Sequence, residues 1–153
     1  MLSPRGLAAI LLFAVVALTA SACGGSTQSP HDAYTKQLST ACDNMRKQIE
    51  ALGKPSDTPV EKIYPQSAKI GHAFVKQIKA ITPPAADKAT AALMIRQFGF
   101  YFDGLALGYA VLKKRESQAG FVQTVEGAVA NLHLAEGYAR KLGAPACARE
   151  AFS

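Results

Sequence analysis

The stretch ITPPAADKA, residues 81–89, decides the fold class. Consecutive prolines cannot continue a helix, because each removes a backbone donor and each pushes the residue before it out of the helical region. Thr82 can cap, Pro83 and Pro84 stop one helix and open the next, and Asp87 places an acid in the new first turn. Apolar residues recur at threes and fours on both sides of this stop. Upstream the series is Val60, Tyr64, Gly71, Phe74, Ile78 and Ile81; downstream it is Met94, Phe98, Tyr101, Leu105, Tyr109 and Leu112. Two helices therefore meet here, the second reaching about Lys114, where Lys113, Lys114 and Arg115 suit a carboxyl end.

The same punctuation recurs outward. A first helix is expected from about Asp32 to Leu52, burying Leu38, Cys42, Met45, Ile49 and Leu52, with Gly53 and Pro55 ending it. Thr58-Pro59-Val60-Glu61 then reads as a capping box with proline at the first helical position, and Pro65 should tighten or kink the first turns of that helix. A fourth helix is expected after Ser117–Gly120, burying Phe121, Val125, Ala128, Leu132, Ala135, Ala139 and Leu142 before Gly143 and Pro145 close it. No segment alternates with period two, so no sheet is expected. Four one-sided helices on short links predict an all-α, antiparallel up-down four-helix bundle.

The beginning of the chain has another character. Residues 1–22 carry one charge, Arg5, then an apolar run from Leu7 to Leu18 and a small-residue end, the pattern of a secretory signal peptide. The run is shorter than the roughly 18 to 20 apolar residues a membrane-spanning helix needs. Ala20-Ser21-Ala22-Cys23 resembles the lipobox of bacterial lipoproteins, in which the leader is cut before the cysteine and the thiol is joined to diacylglycerol. That resemblance implies an exported protein held by acyl chains on Cys23 at the outer face of the cell membrane. Ala20-x-Ala22 also suits ordinary signal peptidase, which would release a soluble protein. Residues 23–31, rich in glycine and serine, read as the lipidated cysteine and a flexible tether, and residues 32–153 as the bundle domain.

Cysteine arithmetic favours the anchored form. Cys23, Cys42 and Cys147 are an odd number, and an exported protein with a spare thiol is unusual, whereas lipidating Cys23 leaves an even pair. In an oxidising compartment Cys42 and Cys147 can bridge, provided the chain after Gly143 folds back, because Cys42 lies roughly 15 Å inside the first helix. Two unpaired thiols are the alternative. A cysteine in the first helix (ACDNMRKQIEALGKP), a central ITPPAADKA and a closing ARKLGAPAC together resemble the small helical lipoproteins of mycobacteria and related actinobacteria. The resemblance implies fold, bridge and envelope location and brings no catalytic residues with it.

No HExxH, GxSxG, CxxC or phosphate-binding glycine loop is present, so no catalytic residues, cofactor or metal are expected and the chain reads as a non-enzyme. His31, His72 and His133 share no ligand spacing; His72 is expected at the surface and His133 half-buried. Loss of Arg5 with the leader takes the net charge from +6 to +5, which favours anionic lipid or polymer, while export argues against nucleic acid and none is expected as a partner. Lys62, Lys69 and Lys76 recur every seven residues with Lys79 beside them, a solvated helix face or a strip for anionic surfaces.

The stretch IRQFGFYFDGLALGYAVL, residues 95–112, is apolar on more than one face. At 100° per residue, Leu93, Phe100, Leu107 and Val111 fall away from Phe98 and Leu105, and Gly99, Gly104 and Gly108 weaken the helix unless they permit close approach. Three readings follow: a back covered by the C-terminal tail, a cavity for a lipid or small apolar ligand, or a contact surface for an envelope protein or a second copy. The expected function is a membrane-tethered, non-enzymatic binding module of the envelope, with a carrier of an apolar ligand as the alternative.

Overall fold

The computed structural model describes residues 28–54, 57–114 and 118–149. The expected leader, Cys23 and most of the expected tether lie outside them. Four helices follow in order, α1 (Pro30–Glu50), α2 (Val60–Lys79), α3 (Lys88–Lys113) and α4 (Gln118–Lys141), with 3-10 turns at Ala85–Asp87 and Pro145–Ala148. The expected all-α, up-down four-helix bundle is the observed fold. No strand occurs among the described residues.

Local chemistry accounts for the helix limits. Ser29 caps α1 by accepting from the Asp32 amide at 3.0 Å, so the helix begins at Pro30, before the expected Asp32. Gly53, at φ 97°, takes the left-handed conformation beyond its end. The capping box expected at Thr58 and Glu61 does not form. Pro59 keeps an extended ψ of 135°, its carbonyl becomes the first acceptor, and the Thr58 hydroxyl lies over Gly53 instead. The first turn of α2 is tight, with the Lys62 amide donating to Pro59 at 2.9 Å, and the helix continues through Pro65. Gly143 closes α4 at φ 69° while the Ala144 amide donates to the Ala139 carbonyl, which satisfies an otherwise orphan acceptor.

Helix spacing is set by three glycines. Gly71 of α2 lies directly under the Phe102 ring of α3, with no room for a β-carbon. Gly104 does the same between α3 and α4, where a β-carbon would come within 2.6 Å of the Ala128 methyl, and Gly108 allows a close approach in which a β-carbon would press on Val125 at 3.3 Å. Above these contacts Phe74 meets Phe98 and Phe102 edge-on, at 5.3 and 6.4 Å between centroids, in the geometry aromatic quadrupoles favour. Tyr34, Leu38, Ile78, Met94, Ala135 and Ala139 complete a core with almost no exposure.

The tail fills the space between α1 and α4. Its Pro145–Ala148 turn packs on both helices, and Cys147 is disulfide-bonded to Cys42, with Cα atoms 5.1 Å apart. The expected backward fold of the tail is thus observed. At the same end of the bundle His31 Nδ1 lies 2.8 Å from Asp87 Oδ2, which joins the start of α1 to the link before α3. Asp87 stands at the start of α3, as the sequence pattern implies, but makes no side-chain cap there, and its carboxylate engages α1 instead.

Gly137, in contrast with Gly71, has open space around it. Gly137→Ala should therefore raise stability by about 0.8–1 kcal/mol, since alanine restricts the unfolded chain and meets nothing in the folded one. Equilibrium urea unfolding measures it, and a loss of stability would contradict the open site.

Candidate contact surface

The seam between α3 and α4 explains which apolar residues of α3 are covered. Leu93 and Val111 lie within about 20° of Gly104 around the helix, so the glycine contact with α4 draws them into the seam. Both are half-buried, so of the four apolar residues on that side of the helix these two are largely taken up by the bundle. Phe100 and Leu107 are turned farther out and remain 50% and 56% exposed. The tail does not cover them: as far as Arg149 it lies on α1 and α4. Gly99, beside Phe100, has nothing within 4 Å of where a β-carbon would stand. Of the three helix-3 glycines, two permit close approach and this one serves no contact within the bundle.

Arg96 and Asp103 flank Phe100 on the same outer face. Asp103 Oδ1 lies 2.9 Å from His72 Nε2 of α2, and both side chains are exposed. Arg96 forms no ion pair among the described residues. Apolar side chains are thus set between one free cation and one lightly engaged carboxylate.

Lys62, Lys69, Lys76 and Lys79 are all exposed on α2, and none is ion-paired among the described residues. Lys69 also borders a groove of about 550 Å³ between α1 and α2, lined with Gln48, Gln66, Ile70 and Ala73 and open to solvent. Cys23, the predicted lipidation site, is outside the described residues. No group of three or more His, Cys, Asp or Glu side chains converges as a metal site among the described residues. His31 and His72 are exposed and hydrogen-bonded to Asp87 and Asp103, and His133, expected half-buried, is exposed, with Nδ1 3.5 Å from Glu136 Oε2. No helix among them is long and apolar enough to cross a membrane.

The core contains polar groups that sequence reasoning missed. Glu136 is 4% exposed and Gln97 8%, and Gln97 Oε1, Ser67 Oγ and Tyr34 Oη are buried without a hydrogen-bond partner among the described residues. The signal for Gln97 and Glu136 was positional: Gln97 is one turn from Met94 and Tyr101, and Glu136 one turn from Leu132 and Ala139. Burial, then the neighbouring Tyr64 and Glu136, pushes the Tyr101 phenol well above the usual tyrosine range. Burial, then the charge of Asp87, raises Tyr34 as well. These phenols stay neutral at ordinary pH, which suits packing rather than nucleophilic chemistry.

No family model matches this chain, and neither a curated protein nor a solved structure shows significant similarity to it.

Proposed function

We propose that the protein is an exported lipoprotein, anchored through diacylglycerol on Cys23 at the outer face of the cell membrane, that acts as a non-enzymatic interaction module of the envelope. The observation that carries the interaction reading is the exposure of Phe100 and Leu107, together with a glycine beside them that the bundle does not need. Exposed apolar side chains that stand together as one patch, rather than singly, mark contact surfaces. The lipobox-like Ala20-Ser21-Ala22-Cys23, the odd cysteine count and the resemblance to actinobacterial lipoproteins support the anchor. The exposed lysines of α2 add attraction for anionic lipid or polymer. The alternative, a carrier of a lipid or other apolar ligand, draws less support, because the groove between α1 and α2 is open to solvent rather than enclosed.

Two measurements test the proposal. Cys23→Ala should remove the mass of the acyl chains and move the protein out of the membrane fraction; unchanged mass and fractionation would end the anchor reading. Phe100→Ser with Leu107→Ser should leave the melting temperature within a few degrees of wild type, because exposed side chains contribute little to the fold, while weakening association. A stability loss of several kcal/mol with association intact would make these residues packing alone.

A further inference from the structure

We infer that the outer face of α3 pairs with the same face of a second copy of this chain, the two helices running antiparallel about a two-fold axis between Gly99 and Phe100. This rests on the contact-surface reading above and names its occupant. In an isologous interface every residue meets the one equally far on the other side of the centre. Arg96 is then level with the second copy's Asp103, Phe100 with its Gly99, and Leu107 with its Ala92. Every large apolar side chain meets a small residue, and the unpaired cation meets the carboxylate.

Each element of that match is present in the single chain. Ala92, Arg96, Phe100, Asp103 and Leu107 are exposed and Gly99 half-exposed, so the face is unobstructed. Asp103 uses Oδ1 toward His72 and retains its other oxygen. The open space at Gly99, which serves nothing in the bundle, becomes the seat for an aromatic ring. Parallel pairing in register would set Arg96 against Arg96 and Phe100 against Phe100, which charge repulsion and bulk disfavour. A single helix-on-helix contact is small beside the roughly 1,200–2,000 Å² of stable interfaces. Tethering to one membrane raises the effective concentration that such a contact needs.

The test uses the full chain in its own membrane. Phe100 is replaced by the photoreactive p-benzoylphenylalanine, which keeps an aromatic ring at the centre of the face, and the membranes are irradiated. The expected product is a covalent dimer containing only this chain. Its yield should fall roughly fivefold to tenfold with Arg96→Asp or with Asp103→Arg, each of which sets like charges together twice. Co-expression of the two variants under different tags should restore cross-links between unlike tags, because both charge pairs reform. Equal melting temperatures of the variants establish that the fold is intact. No homodimer, or a homodimer indifferent to both substitutions, overturns the inference. Cross-linking to a different protein alone overturns the second copy while leaving the contact-surface reading in place, and an absence of protein adducts removes both.

Discussion

Replacing Cys42 and Cys147 together by alanine should cost about 4–5 kcal/mol of stability, less any strain that the bridge holds in the folded state. The bond joins residues 105 apart in the chain, so its loss frees nearly the whole domain in the unfolded ensemble. Local packing is lost as well. Cys42 and Cys147 are 1% and 5% exposed, and the tail turn they anchor fills the space between α1 and α4. For a domain of this size the change amounts to a fall in melting temperature of roughly 10–20 °C. Thermal unfolding followed by circular dichroism measures it, and wild-type protein with reductant should approach the variant. A fall of only a few degrees would show that the tail is held by packing and that the bridge constrains little.

Phe102→Ala should cost about 3–5 kcal/mol, the range for removing a fully buried aromatic ring. Phe102 has no exposure, sits on Gly71 and touches the rings of Phe74 and Tyr101. The companion substitution Gly71→Ala drives a methyl group into that ring and should cost about 1–3 kcal/mol or more by overpacking. Because the two positions share one volume, their effects should not add: with Phe102 already reduced to alanine, a methyl group at position 71 fills part of the vacated space. A double-mutant cycle by urea unfolding should return a coupling of about 1–3 kcal/mol. Additivity would mean that the α2–α3 spacing adjusts freely to the side chains between the helices.

The bundle was legible because its signals are local. Pro83-Pro84, Gly53 and Gly143 interrupt helices through their own backbone restrictions, and the series Leu38, Cys42, Met45, Ile49 needs only the helical period to identify a buried face. The disulfide followed from the odd cysteine count together with a topology that the short links impose. Local signals misled where two were in competition. Thr58 has the chemistry of a cap, but Pro59 set the backbone one residue later and left the hydroxyl against Gly53. His31 looked like tether and belongs to α1, where it holds Asp87.

The candidate surface was only half legible. Sequence periodicity placed Leu93, Phe100, Leu107 and Val111 together and could not divide them, because the division depends on the rotation of α4 about α3. That rotation is set by Gly104 against Ala128 and Gly108 against Val125, contacts between residues distant in the chain. Gln97 and Glu136 are buried for a related reason: each is carried inward by the apolar neighbours one turn away, whatever its own preference for water.

Alone, the sequence determined what depends on neighbouring residues and on counting: four helices and their approximate limits, an all-α class and a bridge between two particular cysteines. Tertiary structure decided which side of each helix is covered, that Gly71 seats Phe102 while Gly99 seats nothing within the chain, and that Phe100 and Leu107 face water beside Arg96 and Asp103. The physical reason is range. Helix propensity, capping and proline act within one or two turns, whereas exposure is a property of where another helix lies, and that position follows from close-packed contacts between surfaces the chain brings together only when folded.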